Sequence, residues 1–166
     1  MWKGGCAVIL NAADIMTKKV LTVHPQDQVH RVAKLLSDRG ISAAPVCDDD
    51  GRPVGMISEG DLLKPFRTEH ALKRSWWLNV LAEGVDLAPE FVDYLRMDHR
   101  TASDLMTTPV VTATEDATVP ELANLMAEHR IKRVPIVRGG KLVGVVSRAD
   151  VVRALAREPD KVLESI

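Results

Sequence analysis

The sequence has little of several features that mark particular protein classes. Among 166 residues there are two cysteines, Cys6 and Cys47, and aromatic side chains make up 4%. Two cysteines provide no disulfide framework, which favours a reducing compartment, so we expect a cytoplasmic protein. The net charge of −1 lacks the basic excess of general nucleic-acid binders. No apolar run approaches the roughly 20 residues that span a bilayer, and the run 6–10 is too short for a signal peptide. We therefore expect no nucleic-acid or membrane partner.

Patterns that mark catalytic or metal sites are also missing. There is no Gly-x-Ser-x-Gly motif, and neither cysteine lies in a nucleophile signature. The acidic run 48–51 lacks the later ligands of a calcium-binding loop, so it predicts a polar hairpin turn. The five histidines show no ligand spacing with cysteines or acidic residues; they are His24, His30, His70, His99 and His129. These observations predict a protein that is not an enzyme and that needs no metal.

An internal repeat is the main positive signal. Asp14-Ile15-Met16-Thr17 returns as Asp104-Leu105-Met106-Thr107, an offset of 90 residues. One residue is lost after Pro45, and Ser58 and Asp61 then return as Ser147 and Asp150 at an offset of 89. A register kept over this length, with one deletion in a turn, indicates a duplication.

Both copies have the same predicted order of elements, which is β-α-β-β-α. The first strands are predicted at 20–23 and 110–113, and the later strands at 43–47, 53–57, 133–137 and 142–146. Apolar residues at helical spacing give each first helix one buried face; these are Val29, Val32, Ala33 and Leu36, and Val119, Leu122, Ala123 and Met126. Thr118 and Glu121 form a capping box with Pro120 in the first turn. Because so small a sheet cannot bury two helices alone, we predict an α/β fold in which two repeats, related by a pseudo-twofold axis, pack sheet to sheet.

Repeats that open on Asp-hydrophobic-Met-Thr and close on Gly-x-x-Ser-x-x-Asp resemble cystathionine-β-synthase (CBS) domains, and the tandem resembles a Bateman module. The repeats are predicted at 12–64 and 101–156, with an N-terminal extension 1–11, an insert 65–100 and a tail 157–166. The resemblance implies a regulatory homodimer that senses an adenine nucleotide (AMP, ADP or ATP) and signals to a protein partner or to an effector domain outside this chain, as in bacterial relatives. Two alternatives stay open, a sensor of NAD or S-adenosylmethionine and a structural dimerisation module with degenerate pockets.

The Ser-x-x-Asp motif has two interpretations. Serine followed by an acid three residues later is a capping box, which needs no ligand. The same helix N-terminus attracts phosphate, and a carboxylate one turn along can accept the hydroxyl groups of a ribose. Gly55 and Gly144, three residues before each serine, would let a ligand approach the backbone. The family resemblance favours an adenosine nucleotide.

The resemblance implies two sites, each drawn from both repeats. Site A comprises Thr17, Thr22, Ile41, Ser42, Lys132, Arg133, Val145, Ser147, Arg148 and Asp150. Site B comprises Met56, Ser58, Asp61, Thr107, Thr112 and Ile131, with Lys132 beside them. Lys18 and Lys19 add positive charge at site A. At site B, the residues that match the five cations of site A are Thr108, Pro109, Ser42, Ala43 and Glu59. We predict that site A binds an anionic nucleotide. At site B we predict weaker binding, no binding, or a less charged adenosyl ligand. The alternative is that the cations only form a solvated face of the protein.

The insert lies outside the repeat. Leu72, Trp76 and Val80 form an apolar helical stripe, and Asp86 begins a second predicted helix with Phe91. Apolar stripes are usually buried, so we predict that the insert packs on the module or its dimer. A docking surface for another protein is the alternative.

Overall fold

The structure, a computed structural model, describes residues 9–69 and 99–163. The helices are α1 Ala12–Ile15, α2 Val29–Arg39, α3 Glu59–Glu69, α4 Ala102–Leu105, α5 Val119–Glu128, α6 Arg148–Arg157 and α7 Pro159–Leu163. The strands are β1 Ala43–Cys47, β2 Pro53–Ser58, β3 Ala113–Thr114, β4 Arg133–Arg138 and β5 Lys141–Ser147. This mixed α/β architecture with two small sheets confirms the predicted fold class.

The chain divides into two compact units, which we call unit 1 and unit 2. Unit 1 contains residues up to Val20 together with those from Val111 onward, and unit 2 contains Leu21–Val110. The units therefore differ from the sequence repeats in their opening segments. Residues 12–20 of the first repeat belong to unit 1, and residues 102–110 of the second repeat belong to unit 2.

In unit 2, β1 and β2 form an antiparallel pair in which Ala43 lies opposite Ser58. The predicted strand at 20–23 is reduced to one parallel bridge between Val23 and Val46. It ends there because the chain turns at once: the Asp27 carboxylate accepts the N–H of His24 at 2.8 Å, and the Asp27 N–H donates back to the His24 carbonyl at 2.9 Å.

The acidic run 48–51 is the turn between β1 and β2. The Asp48 carboxylate accepts the N–H groups of Asp50 at 3.1 Å and of Arg52 at 2.8 Å, and Gly51 takes a φ of 76°. An aspartate side chain that caps its own turn is typical of hairpins. This confirms the predicted turn.

The core of unit 2 lies between the sheet and one face of α2. Val29, Val32 and Leu36 are buried on that face, against Val46 and Ile57. Each such side chain contributes roughly 1.5–3 kcal/mol by leaving water. The apolar periodicity of α2 predicted this face correctly.

In unit 1, β3 pairs in parallel with β4, which pairs antiparallel with β5. The strand predicted at 110–113 is shorter and shifted to Ala113–Thr114. The shift follows from the turn after it, in which the Ala117 N–H donates to the Thr114 carbonyl at 3.2 Å.

Helix α5 packs on this sheet as predicted. Leu122 and Met126 are buried against Val134, Ile136 and Val146. The capping box is confirmed: the Thr118 N–H donates to the Glu121 carboxylate at 2.7 Å, and the Glu121 N–H donates to the Thr118 hydroxyl at 3.4 Å, with Pro120 in the first turn.

The helices α2 and α5 end differently. Gly40 ends α2 in the left-handed conformation, with φ 59°. The equivalent residue after α5 is Arg130, which takes φ 53°. Glycine adopts this conformation without strain, whereas a side chain with a Cβ costs about 1–2 kcal/mol there. The second repeat therefore carries local strain that the first does not.

Helix α3 runs past Lys64, where the first repeat was predicted to end, as far as Glu69. The apolar stripe around Leu72, Trp76 and Val80 and the helix predicted after Asp86 lie outside the described residues. Within residues 9–69 and 99–163, every helix is too short or too polar to cross a membrane.

Candidate functional site

The Ser-x-x-Asp motif of unit 1 caps the N-terminus of α6. Oδ2 of Asp150 accepts the N–H of Ser147 at 2.8 Å and its hydroxyl at 2.6 Å. The Asp150 N–H donates to the Ser147 Oγ at 3.3 Å. The capping interpretation of this motif is therefore confirmed.

The motif of unit 2 has the same local geometry at the start of α3. Oδ2 of Asp61 accepts the N–H of Ser58 at 2.9 Å and its hydroxyl at 2.6 Å, and the Asp61 N–H donates to the Ser58 Oγ at 3.3 Å. Both carboxylates are nearly buried, with side-chain exposures of 9% for Asp61 and 12% for Asp150. Local capping does not distinguish the two units.

The opening segments place one threonine beside each motif. In unit 1, Thr17 exchanges two backbone hydrogen bonds with Val145, at 2.9 and 3.1 Å. In unit 2, Thr107 exchanges the same pair with Met56, at 2.7 and 3.2 Å. The structure thus brings Thr17 and Val145 to the strand that leads into Ser147, and Thr107 and Met56 to the strand that leads into Ser58.

The glycines before each motif have a different role from the one the sequence indicated. A Cβ on Gly55 would lie 2.5 Å from the Met106 Sδ, and a Cβ on Gly144 would lie 2.8 Å from the Met16 Cγ. The methionine of each opening segment fills the space over the glycine. The interpretation that these glycines make room for a ligand was wrong, because the structure gives that room to a methionine.

The other carboxylate oxygen, Oδ1, has different partners in the two units. Oδ1 of Asp150 accepts Nη1 of Arg153 at 2.9 Å. Oδ1 of Asp61 accepts Nζ of Lys64 at 2.5 Å and the Thr107 hydroxyl at 3.2 Å. Sequence reasoning missed Arg153 and Lys64, although a cation three residues after the acid occurs in both repeats.

In unit 1, cationic residues surround the N-terminus of α6. Arg133 lies opposite Ser147 across β4 and β5. The Arg148 N–H donates to the Lys132 carbonyl at 3.0 Å, and the Arg148 Nε donates to the Ile131 carbonyl at 3.3 Å. The start of β4 and the start of α6 therefore place Lys132, Arg133 and Arg148 close together.

In unit 2, the same backbone arrangement carries no cation at the equivalent positions. Ala43 lies opposite Ser58 across β1 and β2. The Glu59 N–H donates to the Ser42 carbonyl at 3.0 Å. The matched positions are thus two small residues and one acid, where unit 1 has three cations.

Lys18 belongs to a different environment. Arg138 donates to the Glu115 carboxylate, with Nη2 at 2.7 Å from Oε1. This hydrogen bond, with the nearby charges of Arg138 and Lys18, lowers the pKa of Glu115. Lys18 therefore lies near the Glu115–Arg138 pair.

A recess of about 190 Å³ lies between α1 and α6 in unit 1. Its lining includes Asp14, Asp150, Arg153 and Arg157. The Arg153 side chain is 56% exposed. The guanidinium that pairs with Asp150 therefore has open space beside it.

The remaining predicted residues divide between the units. Thr22, Ile41 and Ser42, assigned to site A, belong to unit 2. Thr112 and Ile131, assigned to site B, belong to unit 1. Their assignment to a shared ligand site stays a prediction.

A paired α/β repeat with a Ser-x-x-Asp motif at each closing helix matches a known family model. The model for the CBS domain matches residues 12–67 and 102–157. The chain belongs to the CBS-domain family.

Two relatives come from Methanocaldococcus jannaschii. The protein MJ1426 is 35% identical over 160 residues, which cover 89% of this chain and 92% of MJ1426. The protein MJ1404 is 31% identical over 143 residues, which cover 86% of this chain but 31% of MJ1404. The chain thus spans about a third of MJ1404 and nearly all of MJ1426. Relatives outside bacteria leave the expected bacterial origin unsupported.

Solved structures of CBS-domain pairs are similar to this chain. The CBS domain pair of MJ0100, in complex with 5′-methylthioadenosine and S-adenosyl-L-methionine, has a TM-score of 0.65 and 27% identity, and the match covers 89% of this chain and 97% of that chain. CBSX2 in complex with AMP has a TM-score of 0.66 and 25% identity, with coverages of 89% and 96%.

One similar structure contains metal. Hypoxic Response Protein I, with two coordinated zinc ions, has a TM-score of 0.61 and 28% identity, with coverages of 87% and 98%. Within residues 9–69 and 99–163 of the present chain, no three His, Cys, Asp or Glu side chains gather as a metal-ligand set.

Proposed function

We propose that this protein is a regulatory module that binds an adenosine nucleotide at the Ser147–Asp150 motif of unit 1. The observation that carries the proposal is the placement of Lys132, Arg133 and Arg148 at the N-terminus of α6. A phosphate loses its hydration when it binds, and it needs several cationic or N–H donors in exchange. Unit 1 supplies both kinds of donor, whereas the equivalent positions of unit 2, Ser42, Ala43 and Glu59, carry no cation.

The two ends of the ligand would be held by different groups. The cations and the N-terminus of α6 hold the phosphates, and the Asp150 carboxylate accepts hydroxyl hydrogen bonds from the ribose. Structural neighbours in complex with AMP and with S-adenosylmethionine and methylthioadenosine support an adenosine-containing ligand. Among adenosine-containing ligands we favour AMP, ADP or ATP for unit 1, because a phosphorylated ligand uses the three cations.

A second candidate ligand is S-adenosylmethionine. It carries no phosphate, so it does not need the cations of unit 1. At the unit 2 motif, Glu59 beside Ser58 disfavours the phosphates of ATP, because like charges repel.

Binding regulates only if the ligand prefers one conformation of the protein. The shift in population cannot exceed the difference in the ligand's affinity for the two conformations. We propose that the output passes to a protein partner or to an effector domain, and that the protein acts as a homodimer without catalysing a reaction.

Isothermal titration calorimetry on Asp150→Ala and Asp61→Ala tests the proposal. With AMP and ATP, we expect Asp150→Ala to weaken binding by about 10- to 100-fold, since hydrogen bonds to a charged group contribute about 1.5–3 kcal/mol. Asp61→Ala is the matched control and should leave this binding nearly unchanged. Equal losses would contradict the choice of unit 1. No binding of AMP, ATP or S-adenosylmethionine to the unmutated protein would favour a structural dimerisation module.

A further inference from the structure

The number of hydrogen bonds already made by each acid differs between the units. An ionised carboxylate has about four acceptor positions, two on each oxygen. On Asp61, Ser58 fills both positions of Oδ2, and Lys64 and Thr107 fill both positions of Oδ1. On Asp150, Ser147 fills both positions of Oδ2, while within the described residues Arg153 alone donates to Oδ1.

The donors on Oδ1 differ in how easily they leave. Lys64 and Arg153 are long side chains, each 56% exposed, so either cationic end can turn into water. Thr107 is held differently, because its backbone exchanges two hydrogen bonds with Met56 at 2.7 and 3.2 Å. A ligand can therefore displace either cation, whereas the fixed backbone of Thr107 keeps its hydroxyl within one side-chain rotation of Asp61 Oδ1.

A ribose presents two neighbouring hydroxyl groups and needs two acceptor positions. When Arg153 moves away, Oδ1 of Asp150 offers two positions. When Lys64 moves away, Oδ1 of Asp61 offers one, because the Thr107 hydroxyl keeps the other. The bonds from the serines to Oδ2 are the same in both units, so they do not contribute to this difference.

We propose that Thr107 prevents a ribose from binding at the Ser58–Asp61 motif of unit 2. Its hydroxyl occupies one of the acceptor positions of Asp61 that the ribose would need. In this role Asp61 is a structural residue that ties α3 to the opening segment of the second repeat, 46 positions along the chain. The inference rests on the proposed function, in which the acid of this motif accepts the ribose hydroxyls. It adds a determinant of selectivity that is independent of the cations, since it acts on the sugar and not on the phosphates.

The test is the stoichiometry of adenosine binding, measured by titration calorimetry. Adenosine has the ribose but no phosphate, so the charge difference between the units has little effect on it. We expect one equivalent per chain for the unmutated protein, lost in Asp150→Ala. Thr107→Val removes the hydroxyl at nearly constant volume and should add a second equivalent. Adding Asp61→Asn to this variant should abolish that second equivalent.

Two controls separate this role from a purely structural one. Thr107→Ser keeps a hydroxyl and should keep one equivalent. 2′-Deoxyadenosine lacks one of the paired hydroxyls and should not fill the second site of Thr107→Val. A Thr107→Val protein that is folded by circular dichroism and still binds one equivalent would overturn the inference, with the proposed function intact. No adenosine binding by a protein that still binds AMP would overturn the inference alone, and no binding of adenosine, AMP or ATP would overturn both.

Discussion

The two Ser-x-x-Asp motifs have nearly identical internal geometry and different surroundings. Their capping hydrogen bonds agree within 0.1 Å, since 2.9 Å in unit 2 corresponds to 2.8 Å in unit 1. The differences lie in the neighbours, three cations in one unit against Ser42, Ala43 and Glu59 in the other. Both copies have therefore kept the capping hydrogen bonds after the duplication. The residues around the motif have diverged, and they change the charge that a ligand meets there.

The largest expected effect is on binding of a phosphorylated ligand. Replacing Lys132, Arg133 and Arg148 together with alanine should weaken ATP binding by about 100-fold or more, because each charge-assisted hydrogen bond contributes about 1.5–3 kcal/mol. Adenosine binding should change much less. Calorimetry with both ligands measures the contrast, and Lys141→Ala, an exposed cation on β5, is the matched control. An equal loss for adenosine would show that the cations hold the fold and not the phosphates.

The next effect should be the same in both units. Gly144→Ala would push a Cβ into Met16, and Gly55→Ala would push one into Met106. We expect each to lower the free energy of unfolding by about 1–3 kcal/mol, the usual cost of an overpacked core. Urea denaturation measures this, and a Met16→Ala background should reduce the cost of Gly144→Ala. A large loss in one unit only would break the structural equivalence of the two glycines.

The smallest effect concerns the ends of α2 and α5. Arg130→Gly should stabilise the protein by about 0.5–1 kcal/mol, because it relieves a left-handed arginine at a helix end. The reciprocal change, Gly40→Arg, should destabilise by a similar amount. Thermal unfolding of both variants measures the pair. If Arg130→Gly lowered the melting temperature, the arginine side chain would have a stabilising role that its backbone strain conceals.

Local patterns predicted most elements of this fold. The apolar spacing of α2 and α5, the capping box at Thr118 and the turn at Asp48 depend on residues a few positions apart, so the sequence contains their full physical cause. The first strands were less well predicted, because the turns after Val23 and Thr114 shorten them. Predictions failed where partners are distant in sequence. Nothing near Gly144 indicates that Met16 covers it, and nothing near Asp61 indicates the bond from Thr107.

The candidate site was predicted to a similar extent. The motif residues and the cations could be identified because the two repeats can be aligned position by position. The pairing of Asp150 with Arg153 has a visible signal, a cation at the third position after the acid. The filling of all four acceptor positions on Asp61 has none, since it requires the threonine to approach from the second repeat.

The exchange of opening segments has a consequence for synthesis on the ribosome. Unit 2 is one continuous stretch, Leu21–Val110, so it can fold as soon as that stretch has emerged. Unit 1 needs residues 9–20 together with residues from 111 onward, and its first segment must wait while the whole of unit 2 is translated. The nascent chain therefore carries an early segment whose partner is made later, and unit 2 can form its contacts before unit 1 can.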